Sequence, residues 1–398
     1  MSEVNVSQTV LTAQLALQNF SALGLRGLSK LAGASVSATP LLIYDVNGEI
    51  LFHDYLLARA GDVVGTIRTA ANRKLGVHIV SIHHAAPRWS AASALRLARE
   101  ALSIHHPKAL VTQSRLVCYA YPKIGVQLNF SVDGKESVEI FDAASGGLVA
   151  QAGGQDHQFT RYSFIERLNA RQHEANIANF NETHQRLMEA HRSQAHSAPA
   201  AAESGLSADK AAIYLPPWSL SGVLQGLVLQ SPWCPNSPMG NSHYAQITDY
   251  FCVDASTQML LEHYGFNYTQ NQIAVAMGTS IANGGTTGAG LTSGFVSLTN
   301  NDLILTFDNG QSRAQQFQDA MTEVNANRPL FTQVPHHYRV CMGYSENTGL
   351  LAILFGLNQS LYIFDPWPWN PNLCEPGSPY WESWATSPVM WFGIVHHG

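Results

Sequence analysis

The sequence predicts an α+β protein: a sheet-plus-helix unit, a long linking helix and a second, C-terminal α+β unit. Three observations predict it. With 398 residues the chain has room for two or three compact units, each able to bury its own core. Hydrophobic residues make up 45% and charged residues 13%, so most of the chain folds rather than staying disordered. Short apolar stretches broken by Gly and Pro alternate with stretches of helical spacing. No run reaches eighteen apolar residues, and the start, MSEVNVSQTVLTAQLALQNF, lacks a basic flank ahead of an apolar stretch. Neither a membrane span nor a cleavable signal is expected, so the expected location is the cytoplasm, or outside the cell without a cleaved signal peptide.

Five segments follow in order: 1–38, an N-terminal helical segment; 39–152, the first α+β unit; 153–193, a long helix; 194–232, a flexible linker and an apolar arm; and 233–398, the second unit. In the first unit PLLIYDVNGEILFHDYLLA centres on Asn47-Gly48, a two-residue hairpin signal in which both turn positions take positive φ. AASALRLAREAL, from Ala91, sets Leu95, Ala98 and Leu102 on one helical face and Arg96, Arg99 and Glu100 toward water. LVCYAYP, GVQLNFSVDG and SVEIFDAASGGLV are separated by Pro122, Gly125 and the Asp133-Gly134 turn, a meander packed on that helix. The helix and the strands ending in VEIFDAASGG resemble a cystatin-like or PepSY-like domain. Residues from Tyr162 to about Arg192 contain no Gly or Pro, which predicts one long polar helix bridging the units. SQAHSAPAAAESGLSADK reads as linker, and AAIYLPPWSLSGVLQGLVLQSPW as an arm along another surface. The glycine-rich SIANGGTTGAGLTSG lacks the lysine and context of a phosphate loop, and is expected to be a mobile surface loop.

Charge and cysteine content narrow the chemistry. The net charge is −6, yet after residue 230 only three cations face eleven carboxylates, and Lys210 is the last lysine. So few cations cannot neutralise a phosphate backbone, which argues against nucleic acid as a partner. Cys118, Cys234, Cys252, Cys341 and Cys374 form no CxxC pair and are odd in number, so neither a full disulfide framework nor a Cys-rich zinc site is expected. The pairs His83-His84, His105-His106 and His396-His397 diverge in regular structure and make poor chelators, so no metal and no cofactor is expected. Trp367, Trp369, Trp381, Trp384 and Trp391 are expected as core or cleft wall.

The informative segment is HYAQITDYFCVDASTQMLLEHYG. A helix beginning at Cys252 buries Val253, Leu260, Leu261 and Tyr264 and stops at Gly265. At a helix start, unpaired amides and the dipole favour the thiolate, the nucleophilic form of cysteine. Gln246, six residues earlier, is placed to donate to an oxygen that becomes negative beside the sulfur. In NANRPLFTQVPHHYRVCMGY, His337 heads an alternating strand through Val340 and Met342 to Gly343, where it can serve as a base. LYIFDPWPWN ends a strand at Asp365, whose carboxylate can hold the imidazole tautomer.

Gln246, Cys252 within CVDASTQMLLEHYG, His337 within HYRVCMGY and Asp365 within YIFDPWP resemble the signature of papain-like cysteine peptidases, in particular the bacterial group that includes bacteriocin-leader peptidases and related effector proteases. The resemblance runs from about Trp233 to the end. It implies Cys252 as nucleophile, His337 as base and acid, Asp365 as orienting carboxylate and Gln246 as oxyanion donor, acting on a peptide or protein. Val253 and Asp254 depart from relatives that carry Trp or Gly after the cysteine. Asp254 is read as turned away to cap the helix start. His336 is a rival base, and Asp308 and Asn358 are weaker partners for the imidazole. Acyl transfer of transglutaminase type, or a non-catalytic module that keeps the fold, are the alternatives. The resemblance to cystatin-like units also implies inhibition of the cleft by the N-terminal part.

Overall fold

A computed structural model of the chain describes residues 2–23, 25, 27–149, 161–168, 170–195, 228–230, 243–368 and 378–398. The chain opens with helix α1 (Val6–Gln18), where the Asn5 side chain accepts the Ser7 amide, then helix α2 (Phe20–Leu23) and a 3-10 turn, Leu28–Leu31. Strands β1 (Ser35–Val36), β2 (Leu41–Asp45), β3 (Ile50–Arg59), β4 (Asp62–Ala70) and β5 (Ile79–His83) precede helix α3 (Ala91–His105). Strands β6 (Leu110–Ala120), β7 (Lys123–Val132) and β8 (Lys135–Asp142) complete this part. Helix α3 begins in a Ser90/Ser93 capping box and buries Ala94, Ala98 and Leu102.

Two turns test the hairpin readings. Asp133 and Gly134 both take positive φ, 49° and 80°, and join β7 to β8 as a two-residue turn. At Asn47-Gly48 only Gly48 is left-handed; the loop spans Val46 to Gly48, and the Gly48 amide donates to the Asp45 carbonyl at 2.9 Å. The expected two-residue turn is therefore a three-residue one, because the Asn47 side chain accepts the Glu49 amide at 2.9 Å.

The long helix is divided. Helix α4 (Phe164–Arg167) ends at Leu168, whose ψ of 130° is extended, and helix α5 (Ala170–Ala195) follows. Absence of Gly and Pro does not enforce continuity here, because Phe164 and Ile165 are drawn into the core under β6 while the Asp45 carboxylate takes the Phe164 and Ile165 amides. Helix α5 buries Phe180 and Leu187, and its Thr183 meets the buried His78 at 3.1 Å. The linker and most of the arm lie outside the described residues; within the arm, strand β9 (Val228–Gln230) is described.

Helices α6 (Cys252–His263), α7 (Gln270–Met277) and α8 (Gly288–Leu298) lead to strand β10 (Leu303–Phe307) and helix α9 (Arg313–Asn325). Strands β11 (Leu330–Val334) and β12 (His337–Asn347), helix α10 (Leu350–Phe355), and strands β13 (Gln359–Asp365), β14 (Ser378–Ser383) and β15 (Trp391–His397) finish the chain. The glycine-rich stretch expected as a surface loop runs into the first half of α8, capped by the Thr287 hydroxyl. Its glycines serve packing: a Cβ on Gly290 would lie 2.2 Å from the Met277 carbonyl oxygen, and one on Gly294 2.5 Å from Met277 Cγ.

One sheet runs through the molecule in the order β10-β15-β11-β12-β13-β14-β5-β4-β3-β2-β6-β7-β8, with β1 on β3 and β9 on β12. The junction is β14 with β5, where Tyr380 pairs His83 and Trp381 pairs Ile82. A single apolar cluster joins Leu15, Leu28 and Ile67 from the first part to Met259, Leu260, Phe355 and Trp381 from the second. On the opposite face of the C-terminal strands Phe317 and Val324 of α9 pack on Cys341, Ile363 and Phe392. No helix among the described residues is long and apolar enough to cross a membrane.

Candidate active site

Cys252 is the first residue of α6 and is buried. The helix has no side-chain cap: Asp254 does not turn back to the helix start as expected, but is buried with Oδ1 accepting the Thr279 hydroxyl at 2.8 Å. Thr279 is itself 2.6 Å from the Thr286 hydroxyl, so a turn in the glycine-rich stretch competes for the carboxylate and wins. The first turn of α6 faces the start of β12. The Cys252 sulfur accepts the Tyr338 amide, and one turn later the Ser256 hydroxyl donates to the Tyr338 carbonyl at 3.2 Å.

His337 begins β12 after a tight turn from β11, in which Val334 pairs His337. Pro335 supplies a fixed φ, and His336 takes a φ of 58°. The turn separates the two histidines: His336 places its ring 6.1 Å from Tyr162, while His337 is wholly buried. His337 Nε2 lies 2.7 Å from Asp365 Oδ1. An ionised carboxylate only accepts, so Nε2 carries the proton and Nδ1, buried with no hydrogen-bond partner among the described residues, is the basic nitrogen. The rivals sit elsewhere, since Asp308 accepts the Phe392 amide and Asn358 is exposed.

Asp365 ends β13, and the Pro366 bend returns the Trp367 amide to its Oδ1 at 2.9 Å. Its Oδ2 accepts the Tyr380 hydroxyl at 3.2 Å. Behind them, Arg339 Nη1 donates to Tyr380 at 2.8 Å and to Glu382 Oε2 at 2.7 Å, and the same Glu382 oxygen accepts the Tyr121 hydroxyl at 3.0 Å. A buried chain of hydrogen bonds thus runs from the N-terminal sheet to the imidazole. Asp142 of β8 adds a second tie, accepting Tyr119 at 2.8 Å and the Trp367 indole N–H at 3.0 Å.

Gln246 lies in the segment before α6, which leans on the end of β13. Its amide N–H donates to the Pro366 carbonyl at 2.9 Å, and His243 stacks on Phe364 at 4.4 Å. The Gln270 side chain clamps this segment at the Ile247 amide and the Ala245 carbonyl. One N–H of the Gln246 carboxamide is held by the Thr248 carbonyl at 2.8 Å, which leaves the second amide hydrogen for another acceptor.

Burial dominates the electrostatics. It pushes the Cys252 thiol up to about 11, against the Lys123 ammonium and the Tyr338 amide, with Asp254 and Asp365 adding to the rise. It pushes His337 down to about 4, opposed by Asp365. Burial would raise Asp365 too, but His337, Arg339 and the Trp367 amide outweigh it and hold the carboxyl below its ordinary value. The closed site therefore rests as neutral thiol, neutral imidazole and carboxylate. Burial also raises Asp254 to about 7, so much of the charge that would oppose a thiolate is neutralised.

Sequence reasoning missed Lys123, Arg339, Tyr380, Glu382 and Tyr121. An arginine in the apolar run of β12 and a glutamate in β14 were the available signals, since buried charges require partners. Nothing in the sequence joins Lys123 to this site. Among the described residues no group of three His, Cys, Asp or Glu side chains stands close enough to hold a metal.

Residues 240–384 match the model of the Peptidase_C39 like family, which supports a papain-like cysteine peptidase-type domain in the C-terminal part. The match does not reach the residues behind the cystatin-like or PepSY-like expectation. No curated protein matches the chain.

Proposed function

We propose that the protein is a cysteine peptidase in which Cys252 is the nucleophile, His337 the base and acid, Asp365 the orienting carboxylate and Gln246 an oxyanion donor. The observation that carries this reading is the 2.7 Å contact between His337 and Asp365, with His337 Nδ1 unpaired among the described residues at the start of the strand whose next amide donates to the Cys252 sulfur. The Cys252 thiol gives its proton to Nδ1 as sulfur bonds to the peptide carbonyl carbon. The oxygen takes the negative charge and meets the free hydrogen of the Gln246 carboxamide. Collapse breaks the C–N bond, and His337 returns the proton to the departing amine. Water, deprotonated by His337, then attacks the thioester and releases a carboxylic acid and the thiol. Asp365 stays ionised, holding Nε2–H and stabilising the transient imidazolium.

The experiment is mass spectrometry of a peptide library after incubation with the protein and with Cys252→Ala. New carboxyl and amino termini, reduced about a thousandfold or more in the variant, are expected. Isopeptide or ester products would mean acyl transfer, and equal products from both proteins would remove Cys252 from the chemistry.

A further inference from the structure

Lys123 opens β7 directly after Pro122, at the tip of the β6–β7 hairpin, and it is buried. A buried ammonium is costly unless anions surround it. The hairpin tip faces the end of β13. Pro122 and Ile124, on either side of Lys123, line a cavity of about 250 Å³ together with Asp365, Trp367 and Tyr380. The Ile124 carbonyl accepts the Ala143 amide at 2.9 Å, next to Asp142, which binds the Trp367 indole. The hairpin is thereby pinned to the residue whose amide holds Asp365.

Carboxylates and the Cys252 sulfur surround Lys123 among the described residues. Burial holds its proton affinity below that of an ordinary lysine, and Cys252, Asp142, Asp365 and Asp249, in that order, offset part of the loss. Among the groups acting on the Cys252 sulfur, Lys123 is the cation; Asp254 and Asp365 oppose it. Arg339 acts on Asp365 and His337 instead.

We propose that Lys123 is a positioning residue of the peptidase site, its ammonium carried in by the N-terminal sheet to compensate the negative charge that develops on the Cys252 sulfur. This rests on Cys252 being the nucleophile. The proton that leaves the thiol goes to His337 Nδ1, giving an imidazolium whose Nε2–H stays on Asp365. Lys123 keeps its own proton throughout and acts only through its charge. The active site is then built from both parts of the chain, and the N-terminal sheet is a component of it rather than a detachable inhibitor.

The test uses the full chain and its Lys123→Met, Lys123→Gln and Lys123→Arg variants. The rate of Cys252 alkylation by iodoacetamide is followed against pH by mass spectrometry, with peptide hydrolysis measured in parallel. Unlabelled Cys118 and Cys341, both buried, report that each variant is folded. Lys123→Met and Lys123→Gln are expected to raise the midpoint of Cys252 alkylation by about one pH unit or more, a tenfold loss of thiolate, and to lower hydrolysis at neutral pH about tenfold. Lys123→Arg, which keeps the charge, is expected to stay near the parent. An unmoved midpoint in either folded neutral variant overturns the inference. So does faster hydrolysis, which would make Lys123 a plug in the cleft. If the parent hydrolyses no peptide while the midpoint still depends on Lys123, the peptidase reading fails and this one stands; if it hydrolyses peptides with an unmoved midpoint, the reverse holds.

Discussion

Asp254 shows how burial decides the effect of a charge beside the nucleophile. Its side chain is held by Thr279 and its carboxyl is raised from 3.8 to about 7 by burial. A folded-state value above the unfolded one means that the native protein binds a proton between these pH values that the unfolded chain has released. Stability from this group is therefore present at acid pH and is lost as pH rises toward about 7. Asp254→Asn keeps an acceptor for Thr279 and cannot ionise. Relative to the parent it is expected to gain stability from pH 5 to pH 8, by at most about 3 kcal/mol, since the parent loses about 1.4 kcal/mol per pH unit only up to about pH 7. The second carboxylate oxygen has no partner among the described residues, so a buried amide in its place offsets part of the gain. Urea unfolding at the two pH values measures it, and an equal variant-to-parent difference at both would contradict it. The Asp254 environment was not legible in advance, because Thr279 lies 25 positions away and helix capping is the commoner use of an acidic residue in a first turn.

The ends of elements were the most readable. His337 begins β12, Asp365 ends β13 and α6 stops before Gly265, because the Pro335 turn, Pro366 and Gly265 punctuate the chain where the apolar patterns stop. Composition misled where glycine was read only as flexibility. Gly290 and Gly294 let α8 lie close against the end of α7. Gly290→Ala forces a methyl against backbone that cannot swing aside, and a loss of about 1–3 kcal/mol is expected. Gly288→Ala, where a Cβ meets nothing within 4 Å, is expected to be neutral or slightly stabilising. Thermal melts of the two variants separate packing from flexibility. Equal melting temperatures would mean that the close approach carries no energy.

At the scale of the molecule, the candidate site depends on segments far apart in sequence, and one sheet unites them. The strand pairing of β14 with β5 and the chain from Tyr121 through Glu382, Arg339 and Tyr380 to Asp365 tie the N-terminal sheet to the imidazole. None of this was legible, because pairing between distant strands leaves no local periodicity, and a tyrosine in an apolar strand reads as core. What sequence did convey was the residue types and their order along the chain. The central claim is that this assembly activates one thiol. It is tested most directly by labelling the full chain with a peptidyl electrophile and following Cys118, Cys252 and Cys341 separately by mass spectrometry. The account predicts that Cys252 reacts about a hundredfold faster than the other two and that His337→Ala removes the difference. Equal labelling of the three thiols, or labelling of Cys252 indifferent to His337, would contradict it.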